Sequence, residues 1–229
     1  MDTVLTDPPS APAREPSAAE RVYVHLRAGI LDRRYPDNEL LAEGRIAEET
    51  GVSRTPVREA LLRLEAEGMV RLLPKRGALV VPVSVQEWRD VLATRLLVES
   101  HSAATVVAAG RGPALAEVLD VHLDRLCSAA CAADVPAYVA ADRDFHAAIV
   151  AAAGNGILTK LYGTLRDRQL RMGATNLMAA DGGPLRARMD ATAADHRSIA
   201  EAIREGDADR AVALTRTHLA TAERTLRES

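Results

Sequence analysis

Aromatic residues are scarce: one phenylalanine, four tyrosines and one tryptophan in 229 residues, so the core must be built from Ala, Leu, Val and Ile. Cysteine is scarcer still. Cys127 and Cys131 are the only two, and their spacing of four puts them on one helical face, where a disulfide is geometrically awkward. With no CxxC redox motif, both are expected to be small buried hydrophobes. No apolar run approaches the roughly 20 residues that span a bilayer, and no basic segment followed by an apolar one opens the chain. The chain therefore reads as cytoplasmic, with no membrane partner. A net charge of −3 excludes blanket attraction to nucleic acid and leaves only local charge to consider. What is abundant is Ala, Leu, Arg and Glu, within 48% hydrophobic and 27% charged residues, a mix of high helix propensity and ordinary globular composition. The expected class is mainly α, and the length weakly favours two modest domains.

Residues 1–17 mix Pro, Ala, Ser and acids without apolar periodicity and read as a disordered arm. A helix is expected from Ala18, with Val22, Leu26 and Ile30 on one face, ending before Tyr35-Pro36. Two more are expected over Glu43–Thr50 and about Thr55–Glu67, with Thr55 as the N-cap of the second. Met69–Leu73 and Ala78–Pro82 then flank Pro74-Lys75-Arg76-Gly77, a β-hairpin with Gly77 taking the positive φ of the turn. Ser84 with Glu87 forms a capping box that opens a second domain. Breakers divide residues 85–227 into six expected helices joined by short connections, an antiparallel bundle. The domains are thus 18–83, a winged helix-turn-helix, and 84–229, all-helical.

Residues 43–64, EGRIAEETGVSRTPVREALLRL, carry helix-turn-helix spacing. Ala47 is small where two helices cross, Gly51 turns the chain, and Ile46, Val52, Val57, Leu61 and Leu64 form the shared seam. The tip of the second helix then offers Ser53, Arg54 and Thr55, with Arg58 one turn on. Arg54 and Arg58 suit base edges, since a guanidinium addresses guanine O6 and N7 together; Ser53 and Thr55 suit phosphates. Lys75 and Arg76 would form a wing against the DNA backbone, with Gly77 permitting close approach. From Arg45 to Val83 seven basic residues face five acidic ones, an excess of two.

The string GVSRTPVREALLRLEAEGMV, followed by LLPKRGALVV, resembles the winged-helix domain of the GntR family of transcriptional regulators, and the helical remainder resembles its FadR-type subfamily with an FCD effector domain. That resemblance implies a homodimeric repressor on a pseudo-palindromic double-stranded operator, answering to a small organic acid. It departs at Gly44, where a basic residue is common, which weakens Arg45 as a DNA contact.

Three histidines and one aspartate form a second pattern. Asp142 and His146 stand four apart on one helical face. His196 lies ten residues before Gly206 and His218 eleven after Asp207, so in antiparallel helices both sit at nearly one height, about 15–16 Å from the turn. Imidazoles with a carboxylate suit Zn²⁺ first, and also Ni²⁺, Mn²⁺ or Fe²⁺, with open positions for a small carboxylate or hydroxy acid. The FCD resemblance implies a metal at these same four residues. It also favours an Arg and a Glu at Arg95 and Glu99, which would pair at i, i+4, with Arg95 anchoring a carboxylate if it faces the cavity. Two other readings stand beside this one: a metal-dependent enzyme and an architectural DNA-binding protein that senses nothing. The first lacks a catalytic base or nucleophile and leaves the winged helix unexplained.

Overall fold

The computed structural model describes residues 16–178 and 183–227, so the expected arm lies outside the described residues except for Pro16 and Ser17. The chain divides into two compact units: residues up to Ala28 with Tyr35–Val81, and Gly29–Arg34 with Pro82 onward.

The first unit holds α1 (Ala18–Leu31) as far as Ala28, β1 (Leu40–Leu41), α2 (Glu43–Thr50), α3 (Arg54–Ala66), β2 (Val70–Leu73) and β3 (Gly77–Val80). Ile46, Val57, Leu61 and Leu64 are buried between α2 and α3 as the apolar spacing requires, and Gly51 takes φ 66° to turn the chain. The helix starts one residue earlier than its sequence implies. Ser53, in an extended conformation, is the N-cap of α3, and Thr55 falls within the first turn. The hairpin is there, but β3 lies at the centre of a three-stranded sheet, paired with β2 and with the short β1. A two-residue strand has no periodicity to read. Positive φ in the turn is shared by Lys75 at 63° and Gly77 at 111°. Gly77 has a further constraint inside the sheet: a Cβ there would lie 2.1 Å from the Leu41 carbonyl oxygen.

The second unit contains α4 (Val85–Ala108), α5 (Gly112–Ala132), α6 (Val135–Ala152), α7 (Gly156–Gly163), α8 (Arg166–Met178), α9 (Leu185–Glu205) and α10 (Ala208–Arg227). Ser84 caps α4 through its Oγ, which accepts from the Glu87 amide at 3.0 Å, while the Glu87 carboxylate pairs with Arg168 instead of closing the box. Among the described residues this unit has seven helices, one more than the breakers imply, because the chain also breaks after Gly163, a lone glycine outside the breaker pattern. α5 packs on α6 and α9, and α10 packs on α4 and α9. With so few aromatics, the core uses Leu119, Leu126, Ile149, Met189 and Ile203 around the single Phe145, and small residues set the helix spacing. Gly112 is the tightest of these: a Cβ there would sit 2.2 Å from the backbone oxygen of Ile203 on α9.

The cysteines are not buried. Cys131 is exposed and Cys127 partly so, because both lie on the flank of α5, where Arg186 and Arg197 approach their sulfurs at 3.5 and 3.7 Å.

Gly112→Ala must push α5 from α9, and overpacking of this kind costs about 1–3 kcal/mol. Thermal denaturation should show a melting temperature lower by several degrees; an unchanged value would show that the two helices yield freely.

Candidate functional site

On the first unit, Ser53, Arg54, Thr55 and Arg58 are all exposed, as are Lys75 and Arg76 on the hairpin turn. One open groove is bordered by Glu43, Arg54, Arg58, Lys75 and Arg76, so helix tip and wing face the same space. Arg54 and Arg76 have no acid beside them in the hydrogen bonds and ion pairs described. Arg58 Nε donates to both oxygens of Glu43 at 2.9 Å, and Arg45 Nη2 donates to Glu39 at 2.6 Å. Gly77, buried against Leu41, also lines this groove.

On the second unit, one ligand atom each from Asp142, His146, His196 and His218 lies within 4.8 Å of the others, and the three histidines are buried. α6 supplies Asp142 and His146 at one-turn spacing; the reversal at Gly206, with φ 76°, brings α9 and α10 back to back and levels His196 with His218. Phe145 closes the set from one side, edge-on to His146 and His196.

The ring orientations decide what this cluster can do. His196 Nδ1 lies 2.7 Å from the Thr192 carbonyl, which can only accept, so Nδ1 carries the proton. His146 Nδ1 lies 2.8 Å from Glu99 Oε2, an acceptor that favours the same tautomer, while His218 Nδ1, 3.6 Å from Asp195 Oδ2, is beyond hydrogen-bond reach. Neutral imidazoles so fixed keep their lone pairs on Nε2. Yet His146 Nε2 and His196 Nε2 face one another at 3.0 Å, and Asp142 Oδ1 is 3.1 Å from His196 Nε2. Acceptors therefore converge where a cation is needed, either a proton or a metal. Metal–nitrogen bonds of about 2.1 Å at right angles leave their nitrogens about 3.0 Å apart, so the spacing fits the edge of a coordination shell. Oxygen partners on the outer ring nitrogens are the usual support for metal-binding imidazoles. The donor set fits a divalent ion.

Behind the cluster lies a buried network. Arg95 Nε and the Tyr162 hydroxyl both donate to Glu99 Oε1, at 2.7 and 2.5 Å, while the other Glu99 oxygen faces His146. The Arg95–Glu99 pair is thus an interior ion pair and not an exposed helical one. Burial works to raise the Glu99 carboxyl, but the Arg95 charge and His146 outweigh it and hold it well below the ordinary range. Burial likewise works to raise Asp142, and the contact with His196 holds it down. Burial pushes His146 down to about 4 and lowers His218 as well. A cavity of about 60 Å³ adjoins the cluster, lined by Arg95, Asp142, His218, Trp88, Gln169 and apolar neighbours.

The sequence pattern thus brings Asp142, His146, His196, His218 and Arg95 together. It does not reveal Glu99 as the link between Arg95 and His146, nor Thr192 as a ring-orienting group, nor Trp88 and Gln169 in the cavity wall. The lone tryptophan was the one visible signal for the last pair. His25 bridges Tyr35 and Glu49, apart from the cluster.

Residues 18–80 match the bacterial regulatory proteins of the gntR family and residues 90–221 match the FCD domain. A helix-turn-helix regulator from an unstable DNA locus of Streptomyces ambofaciens is 31% identical over 202 residues, covering 86% of this chain and 80% of its own. The galactonate operon transcriptional repressor of Escherichia coli is 26% identical over 226 residues, covering 91% and 96%. The crystal structure of a GntR regulator from Rhodococcus sp. RHA1 superposes with a TM-score of 0.76 at 22% identity, covering 92% of this chain and 98% of that one.

Glu99→Gln leaves Arg95 buried without its counter-charge, a loss of about 3–5 kcal/mol. In metal-free protein the pH dependence follows from the same groups. A histidine held at about 4, below its ordinary 6.5, gives stability that is complete above the ordinary value and lost as pH falls between the two. The depressed carboxyls add further loss at lower pH. Denaturant melts of chelated protein from about pH 7 down to 4 should show steadily falling stability; a rise on acidification would contradict the assignment.

Proposed function

Because the chain belongs to the GntR family of bacterial transcriptional regulators and carries an FCD domain, we propose that it is a repressor whose helical domain holds a divalent metal ion and a small carboxylate effector that sets operator affinity. That it is a DNA-binding regulator and not an enzyme follows from the family itself. No helix among the described residues is long and apolar enough to cross a membrane. The observation that carries the finer reading is the convergence of Nε2 lone pairs and the Asp142 carboxylate on one buried point.

Asp142, His146, His196 and His218 would hold the ion, with Zn²⁺ best suited to the nitrogen-rich set. When bound, the ion supplies a positive centre with positions open to an anionic oxygen. Thr192 and Glu99 hold the His196 and His146 rings in the tautomer that presents Nε2. Arg95, whose Nη2 has no hydrogen-bond partner, anchors a carboxylate in the adjoining cavity. Repressor function is supported by the galactonate relative, and by the gluconate operon repressor of Bacillus subtilis, 37% identical over 84 residues.

On DNA, Arg54 reads base edges at the tip of α3 and Lys75 and Arg76 bind backbone, two copies of the chain meeting a pseudo-palindrome. Ser53 and Thr55 bond phosphates. Arg58 joins the readout when Glu43 releases it, and Arg45, tied to Glu39, is a lesser contact.

An effector that binds the two DNA-affinity states unequally by about 1–3 kcal/mol shifts operator affinity roughly 5- to 150-fold. His196→Ala/His218→Ala, with its fold verified by circular dichroism, should bind operator DNA but lose that shift in fluorescence-anisotropy titrations; a retained response would refute the proposal. Arg54→Ala should cost roughly 1–3 kcal/mol and relax base preference, whereas Lys75→Ala should weaken all sequences alike. Selection from random duplexes distinguishes the two, and equal sequence-blind losses would contradict the division.

A further inference from the structure

The two cysteines carry chemistry that neither the winged unit nor the histidine cluster uses. Cys127 and Cys131 stand one turn apart on α5 and stay out of the core, which takes Leu123, Leu126, Ala129 and Ala130 from the same turns. Cys131 is exposed and Cys127 partly so, and both are free thiols. Their sulfurs lean to one side. Arg186 Nη2 donates to Cys131 Sγ at 3.5 Å and Arg197 Nη2 to Cys127 Sγ at 3.7 Å. Those arginines lie about 16 Å apart along α9, whereas the Cβ atoms of residues four apart on a helix are only about 5–6 Å apart. The two guanidinium arms therefore converge from opposite ends onto neighbouring thiols.

Spacing and charge decide what such a pair can take. A disulfide needs Cβ atoms about 3.5–4.5 Å apart and sulfurs at about 2 Å, closer than one helical turn brings them. One atom placed between the sulfurs relieves that conflict: two bonds of about 2.3 Å, the length of a zinc–thiolate bond, meeting near a right angle set the sulfurs about 3.3 Å apart. Cys131 lies in the last turn of α5, the part of a helix that adjusts most readily. A soft cation entering here meets two guanidiniums, Arg186 held by Asp190 and Arg197 with no acid beside it in the hydrogen bonds and ion pairs described. A neutral thiophilic centre meets no such opposition.

We propose that Cys127 and Cys131 together bind a monosubstituted trivalent arsenical, R–As(OH)₂, as a bidentate dithiolate. The stoichiometry matches, since the arsenic carries two exchangeable hydroxyls and the chain has two thiols. Each S–H proton leaves with one hydroxyl as water, two As–S bonds replace two As–O bonds, and no atom changes oxidation state. The site lies on the flank of α5 that faces α9 and depends on neither the metal nor the carboxylate reading above.

Phenylarsine oxide added to the reduced full-length chain tests this by intact-mass spectrometry. One arsenical per chain should bind, adding the mass of a phenylarsenic group less two hydrogens. The adduct should survive excess glutathione, a monothiol, and leave with dithiothreitol, a dithiol. Cys127→Ser and Cys131→Ser each keep one As–S bond and lose the intramolecular second, so apparent affinity in glutathione competition should fall roughly 100-fold or more. Both positions lie outside the core, and circular dichroism verifies that each variant folds; if one does not, the other and the wild-type stoichiometry decide. Two arsenicals per wild-type chain, equal loss to glutathione from wild type and single variants, or capture of one Cd²⁺ by the cysteine pair in preference to phenylarsine oxide would overturn the assignment.

Discussion

Two imidazoles, His146 and His196, each turn an outer nitrogen to an oxygen and face one another through Nε2, with His218 packed against both rings. That arrangement is made by groups of ordinary kind: a helix carbonyl for His196 and a buried carboxylate for His146. Once it is made, a point between α6, α9 and α10 is rich in electron pairs and lacks protons. A buried site of this kind is unstable alone and selective for a cation. Glu99 ties it to Arg95, so the group that fixes a histidine also fixes the neighbouring guanidinium, and a change on one side of the pair is felt on the other.

Such a centre can be assembled only if the helices stand close and at fixed height. A core with almost no aromatic residues achieves this with alanine and glycine at the crossings. Gly112 lets α5 meet the backbone of α9, and Gly173 leaves room for Val139, since a Cβ there would lie 2.8 Å from a Val139 methyl. The scarcity noticed first in the composition is thus part of the reason that α9 can carry His196 into contact with α6.

How much of this is legible in the chain depends on whether the cause is local. The winged helix can be read because Gly51, the apolar seam and the hairpin turn each act within a few residues. The pairing of His196 with His218 can also be read, because one short turn joins their helices and equal chain lengths imply equal heights. β1 cannot: two residues have no periodicity, and they are ordered by pairing with β3 nearly 40 residues away. The break at Thr164 is marked only by the lone Gly163, which no second turn residue accompanies. Cys127 and Cys131 read as apolar because their spacing says which helix face they share but not what that face meets. Glu99 was visible as a partner for Arg95, whereas its burial and its hold on His146 depend on how α4 packs against α6.

The binding faces follow different physics in the two units. The winged unit displays cations, two of them held by acids, Arg45 by Glu39 and Arg58 by Glu43. The helical unit buries its charges, setting Arg95 against Glu99 and Asp142 beside His196. The most direct test of the central claim is anomalous diffraction at the zinc edge from crystals of chelated protein reconstituted with one equivalent of Zn²⁺. The account predicts one fully occupied peak bonded to Asp142, His146, His196 and His218. An empty site, with His146 and His196 sharing a proton and the metal elsewhere or absent, would contradict it.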